Sequence, residues 1–449
     1  MSVTAELCHR IVATTYDSLT PEAISAARRL VLDGIAIALA GTEEDAIQIL
    51  AAHYRAMEAR GDATALGLGF RTAPTMAAAL NGASMHVLDF EPMWTPSNHA
   101  LSTTLPAILA LSETRPVSGR DVIAALVKGI ELQGWIRHAG HQYETGGLHF
   151  HPPALVGPMG SAVAGGHVLG LDATQMANAL GLASSRCGGM AANIGTMTKS
   201  THCGQAAMLG LEAAMLASHG FTANPEPFEA FNGYGRMMFG ETFVAQDLLN
   251  FGPPYRIVQP GYAIKMFPSQ FGTHFAITAG LTLHPQIPDP AAIRAVTLTI
   301  PVMQYVNRPR PDTGLSGKFS MQYTFASALL RGAVKIDTFA DERVNDPDIV
   351  ALLSKIAMNL SPDIPARFDK MHVEARVELA DGSVLHTRCN GPRGVWGSPP
   401  ISDEDHLVKV RDCLSRRLPE EKAEALIDLA RRVETLEPAG VRQLLQLAA

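Results

Sequence analysis

The feature that most constrains this chain is a change of periodicity near Phe251. Up to about residue 245 the sequence reads as Ala-rich helices. Ala23–Ala40 and Asp121–Ile136 place apolar residues at i, i+3, i+4 and i+7, the spacing of one buried helical face. Thr20-Pro21-Glu22 is a helix start with proline in the first turn, and Asp172 is a candidate N-cap. Pro106, Pro116 and Pro152-Pro153 punctuate the region. Pro253-Pro254, Pro260 and Pro268 then crowd a stretch unable to form a long helix. Beyond it, Val296–Ile300 and Val373–Leu379 alternate with period two, and Asp381-Gly382 signals a hairpin with a further strand behind it. From Ser402 the helical pattern returns. The expected fold is mainly α: a large all-helical domain from residues 1–265 and 398–449, with an α+β unit at 266–397 inserted before the C-terminal helices.

Composition removes several function classes. The 449 residues carry 36 Lys+Arg against 43 Asp+Glu, a formal net charge of −7, with no basic run of the kind that tracks nucleic acid. The five cysteines are scattered and never form C-x-x-C, which argues against disulfides, a zinc ribbon or an iron–sulfur cluster. No dinucleotide fingerprint, P-loop or G-x-S-x-G elbow occurs; Gly67-Leu-Gly69 lacks the third glycine, and Gly146-Gly147 and Gly188-Gly189 suit tight turns and close helix packing. There is no apolar run of about 18 residues and no secretory pattern at the start, so a cytoplasmic protein with no membrane or nucleic-acid partner is expected.

Six of the sixteen histidines fall between His86 and His151. Around them, polar residues sit in otherwise apolar stretches: His86–Glu91, Ser97-Asn98-His99, His149–Pro153, Thr198–His202, Lys265–Ser269 and Lys318–Tyr323. Lysine, aspartate and histidine in such surroundings pair with one another or line a wet cleft. The set offers proton carriers (His, Asp, Tyr) and cations (Lys199, Lys265) suited to a small polyanion. Metal binding is a rival, through His138-x-x-His141, His149-x-His151 and Asp89, but the first pair lacks the glutamate of H-E-x-x-H and proline follows the second. Structural readings also stand: Asp89 as a cap or ion-pair partner, Tyr323 as a core tyrosine. His86, Cys187 and Cys203 read as core or supporting residues.

These stretches, in this order, resemble the MmgE/PrpD family. The resemblance rests on HVLDFE at 86–91, NHALSTTLPA at 98–107, LHFHPPALVG at 148–157, TKSTHCGQAAMLGLEAAMLASHGFTA at 198–223, KMFPSQFGTH at 265–274, KFSMQY at 318–323 and DERVNDPDI at 341–349. It implies a homodimer without a cofactor or metal, an active site between the helical domain and an α+β lid, and site residues at Asp89, His99, His151, Lys199, Lys265 and Tyr323. His202, Met93 and His274 are expected around the substrate with the two lysines.

The implied chemistry is proton abstraction from carbon next to a carboxylate. His99 or His151 serves as base, Lys199 and Lys265 hold carboxylates, Asp89 orients a histidine, and Tyr323 donates a proton or anchors the substrate. A hydro-lyase of the 2-methylcitrate dehydratase type is the first expectation. An epimerase of an iminodisuccinate-like dicarboxylate and a cis-aconitate decarboxylase are alternatives, and a non-catalytic carboxylate-binding protein is a third kind. One departure bears on the choice. Many members read L-D-F-D-D-T, with a threonine implied to contact substrate, where this chain has Leu88-Asp-Phe-Glu91-Pro92-Met93.

Overall fold

The computed structural model describes residues 1–145, 148–395 and 401–449. The expected boundary at 397/398 and the Gly146-Gly147 pair lie outside the described residues. The first strongly periodic segment forms helix α1 (Pro21–Gly41), opened by Thr20, whose hydroxyl accepts from the Ala23 amide, with Pro21 behind it. Helices α2 (Pro74–Val87), α3 (Leu101–Ser112), α4 (Gly119–Ala139), α5 (Pro152–Leu169) and α6 (Thr198–Ser218) follow. A reciprocal Ser118/Asp121 box starts α4, and Asp172 caps Ala173–Ser184.

Two expectations need correction. Pro106 does not break the chain but sits inside α3, where its missing amide frees only the Ser102 carbonyl. The N-terminal part is also not purely helical. Strands β1 (Ala63–Ala65) and β2 (Phe70–Thr72) form a small hairpin whose turn places Gly67 at φ +64° and Gly69 at φ +70°. Only glycine takes those angles without strain, so this pair serves a turn.

Residues 251–272 contain no α-helix and cross from the helical part to the sheet. There, helix α7 (Thr273–Leu283) packs on a four-stranded sheet of β3 (Ile293–Pro301), β4 (Ile356–Ser361), β5 (Val373–Leu379) and β6 (Val384–Cys389) in the order β4-β3-β5-β6, and α8 (Met321–Arg331) packs against α7. The period-two pattern explains this face, since Val296, Leu298 and Ile300 are buried. Gly382 turns the β5–β6 hairpin at φ +88°. After the sheet, α9 (Asp403–Leu414) and the helices Glu420–Ala430 and Pro438–Leu447 return to the first part. Val410, Leu414, Leu426 and Leu445 share one core with Leu30, Leu105 and Val127.

Candidate active site

The site is organised by the turn that ends α2. Asp89 has φ +52°, the left-handed region that a non-glycine residue occupies at a cost of order 1–3 kcal/mol. Its amide donates to the His86 carbonyl (2.8 Å). Lys265 secures the rest: its ammonium donates to the Asp89 carbonyl (2.9 Å), to the Asp89 carboxylate and to the Ser269 carbonyl (3.1 Å). Helix α6 crosses α2 closely because Gly82 and Gly204 face each other. A Cβ on Gly82 would stand 2.7 Å from the Ser102 carbonyl oxygen, and one on Gly204 would overlap the Ala79 carbonyl. That approach brings Lys199, at the start of α6, onto Asp89 Oδ2 (2.6 Å) and His86 Nε2 (2.8 Å).

Four imidazoles surround this pair of lysines. Ring centroids are 4.7 Å apart for His86–His99, 5.3 Å for His86–His151 and 6.2 Å for His99–His151, and His202 Nδ1 lies 3.2 Å from His151 Nδ1. Burial, followed by the lysine charges, holds His99 and His151 well below the ordinary histidine value, which leaves neutral rings able to accept a proton. Burial pushes Asp89 upward, but the Lys199 and Lys265 charges outweigh it and keep the carboxyl well below the usual carboxylate range. Burial brings Lys265 down to about 8, against the opposing pull of Asp89.

Asp89, His99, His151 and Lys199 open onto a cavity of about 280 Å³. Its walls come from both parts of the fold, with Met93 and Asn98 on the helical side, Gln270 and Phe271 on the connection, and Gln304 and Tyr305 beyond β3. Ring nitrogens of His86, His99 and His151 lie within 4.8 Å of one another, a spacing a metal ion could bridge. His86, however, has Nε2 against Lys199 and Nδ1 against Glu91, and two lysines stand beside the trio. That donor set suits an anion better than a cation. The pairs proposed from spacing do not assemble: His149 is exposed while His151 is buried, and His138 and His141 sit by Asp247, away from the cavity.

The MmgE/PrpD N-terminal domain matches residues 5–246 and the MmgE/PrpD C-terminal domain residues 267–435. The protein belongs to the MmgE/PrpD family. Among similar proteins, the cis-aconitate decarboxylase of Mus musculus is 32% identical over 98% of this chain and 92% of its own length. The Homo sapiens protein of that name is 31% identical, with 98% and 93% covered. The mitochondrial 2-methylcitrate dehydratase of Yarrowia lipolytica is 26% identical over 80% of this chain and 74% of its own length.

Within this MmgE/PrpD chain, the structure gathers Asp89, His99, His151 and Lys199 at the cavity as expected from the motifs, with Met93 in its wall. The remaining expectations change. Lys265 is 0% exposed, its three hydrogen bonds all go to Asp89 and Ser269, and it does not line the cavity. Lys199 is the only lysine or arginine lining the cavity among the described residues. His202 stands behind His151. His274 is wedged between Phe267 and Phe271, where burial and Lys265 take it down to about 3, and it does not reach the cavity. Tyr323 is also absent from it: Ser320 caps α8 and points the ring into the core, where its hydroxyl donates to the Thr338 carbonyl.

Tyr305 takes the place expected of Tyr323. Its hydroxyl accepts from Gln270 Nε2 (3.2 Å) and the residue lines the cavity. The sequence held a usable signal, the polar run Gln304-Tyr305-Val306-Asn307-Arg308 directly after the alternating strand. Residues that follow a strand end are common site positions. Asn98 was also within sight, beside His99; its Oδ1 is buried at the cavity without a hydrogen-bond partner.

Proposed function

We propose that this MmgE/PrpD enzyme is a lyase acting on a small di- or tricarboxylate, and that it moves a proton at a carbon next to a carboxylate. The observation that carries this reading is Lys199. It is the cation of the cavity, tied to Asp89 and His86, and it stands among neutral imidazoles. A substrate carboxylate on the third N–H of Lys199 would place its α-carbon near His99 and His151. Negative charge developing on that carboxylate in the transition state is stabilised by the ammonium, an effect on the order of 3 kcal/mol in a dry site.

Between reactions, we favour decarboxylation of cis-aconitate or a close analogue, because the relatives that span nearly the whole chain carry that name. In such a step the C–CO2 bond breaks and its electron pair forms a new double bond. The former double bond shifts density to the carbon beside another carboxylate, and that carbon takes a proton from the Lys199 ammonium, or from His99 or His151 once either has been protonated. Dehydration is the second reading, favoured by Met93. Where many members have a threonine, this cavity has a thioether beside Phe271, an apolar wall suited to a methyl-bearing substrate such as 2-methylcitrate. There, a neutral histidine removes the α-proton and hydroxide leaves with a proton. Epimerisation uses the same abstraction with return to the opposite face.

Turnover of cis-aconitate, 2-methylcitrate, citrate and iminodisuccinate, followed by proton NMR in deuterium oxide, tests the reading. Release of CO2 with solvent deuterium in the product supports the decarboxylase. Loss of water supports the dehydratase, and α-deuteration without loss supports the epimerase. A folded protein that turns over none of the four would sink all three.

The homodimer is part of the same proposal. Phe231 is 76% exposed and Met237 70%, with Phe221 also outward, side chains a partner copy would cover. Light scattering of the purified protein checks it. No helix among the described residues is long and apolar enough to cross a membrane. A cytoplasmic location remains the expectation, and fractionation of cells producing the protein tests it.

A further inference from the structure

Behind the cavity wall lies a chain of four proton-carrying groups whose two ends face the cavity and whose middle does not. Lys199 Nζ is 2.8 Å from His86 Nε2, and His86 Nδ1 is 2.5 Å from Glu91 Oε1. Glu91 Oε1 is 3.6 Å from His99 Nδ1, a buried nitrogen with no hydrogen-bond partner of its own. Lys199 and His99 line the cavity; His86 and Glu91 do not. The carboxyl of Glu91 is held by Ser102, whose amide donates to Oε2 (2.9 Å) and whose hydroxyl donates to Oε1 (2.7 Å). Ser102 lies in the first turn of α3, where amides lack helical partners and the helix dipole favours an anion.

We propose that Glu91 and His86 form a buried proton relay that carries a proton between His99 and Lys199. The proposal rests on the reading that these two end groups face the substrate. The transfer balances in three moves. In dehydration or epimerisation His99, protonated after accepting a proton from substrate, gives its Nδ1 proton to Glu91, which becomes a carboxylic acid. Glu91 passes a proton to His86 Nδ1. His86 in turn releases its Nε2 proton to Lys199, neutral after donating to the product. One proton has then moved from His99 to Lys199; His99 and His86 each end as the opposite tautomer, and a return transfer or exchange of their ring protons resets them. In decarboxylation, which only donates a proton to carbon, the same chain runs the other way, from Lys199 to His99.

Burial makes Glu91 able to hold a proton near neutral pH. Burial pushes Glu91 up to about 7 against the Ser102 hydrogen bonds, and burial with Lys199 lowers His86. The groups facing Glu91 are His86 from α2, His99 and Ser102 from the start of α3, Lys199 and Cys203 from α6, and Lys265 from the connection. A helix cap that only orients His86 is the alternative. It needs an acceptor at position 91 but no exchangeable proton.

The test compares wild type with Glu91→Gln and Glu91→Asp. Gln keeps a carbonyl acceptor for Ser102 but cannot carry the proton, whereas Asp can. The relay predicts at least a 100-fold loss of kcat in E91Q with KM changed less than threefold. It also predicts E91D within about tenfold of wild type, and a pH limb near 7 in the kcat profile that E91Q removes. E91Q within threefold of wild type, or E91D as impaired as E91Q, would overturn it. A second measurement needs neither turnover nor a variant. Proton NMR of the wild-type protein should show a strongly downfield His86 Nδ1 proton with an exchange cross-peak to His99 Nδ1, and absence of that cross-peak also overturns the relay. If no carboxylate is turned over, the functional reading fails on its own while the NMR result still decides the relay.

Discussion

Lys265 grips Asp89 by both side chain and main chain, and in doing so holds a non-glycine residue in left-handed backbone. A residue with φ +52° persists only where its surroundings over-determine it. Here the determinant is a lysine 176 residues away, delivered by the proline-rich connection.

Replacing Lys265 by Met should therefore act on stability as well as activity. It removes one partner of a buried ion pair, which costs about 3–5 kcal/mol. Urea denaturation should report that loss together with a collapse of turnover. A Lys265→Met protein as stable as wild type would show that Asp89 does not depend on this contact.

Lys199→Met should separate from it. Asp89 keeps Lys265, so folding survives, but the cavity loses its cation. We expect kcat/KM to fall by about 10²–10³, with a smaller loss of stability than in Lys265→Met because Lys265 still holds the Asp89 carbonyl. Steady-state kinetics beside a thermal melt distinguish the two lysines.

The two tyrosines should divide in the same way. Tyr323→Phe strips the Thr338 carbonyl of a donor and should cost about 1 kcal/mol while leaving kcat and KM close to wild type. Tyr305→Phe should leave stability close to wild type and raise KM, since its hydroxyl lines the cavity. The reverse pattern would restore the expectation drawn from the KFSMQY motif.

Stability should fall on the acid side earlier than carboxylate titration alone implies. His86, His99 and His151 are each held well below 6.5 by burial. Their contribution is therefore full above 6.5 and is lost as pH drops from there through the folded values. Each group contributes a slope of up to about 1.4 kcal/mol per pH unit. Glu91, raised from 4.5 to about 7, has the opposite sign: its contribution is full below 4.5 and is lost as pH rises through about 7. Three histidines outweigh one carboxyl, so urea midpoints measured from pH 8 down to pH 5 should decline below 6.5. A midpoint that holds steady or rises over that range would mean that these histidines are charged in the folded state.

Much of the architecture was legible in the sequence because periodicity is a local property. The 3.6-residue spacing of Ala23–Ala40 and the alternation of Val296–Ile300 each name a face that must be buried, and the structure buries them. Pro106 was misjudged because a proline rule ignores position within the helix, and the Gly67/Gly69 hairpin escaped because three-residue strands carry almost no periodic signal. At the site, motif order found Asp89, His99, His151 and Lys199. It could not separate Lys199 from Lys265, or Tyr305 from Tyr323, because a motif records residue type without direction.

The sequence alone thus determined the element types, the helical–sheet–helical order and the set of proton carriers, since these follow from side-chain chemistry and short-range spacing. Tertiary structure decided which lysine meets the cavity and which is spent on Asp89. It also decided which tyrosine is wet, and that Glu91 sits behind His99. Those outcomes depend on where α6 crosses α2 at Gly82 and Gly204 and on how the connection folds over the 88–93 turn. Both are contacts between residues more than a hundred positions apart, and no local pattern encodes them.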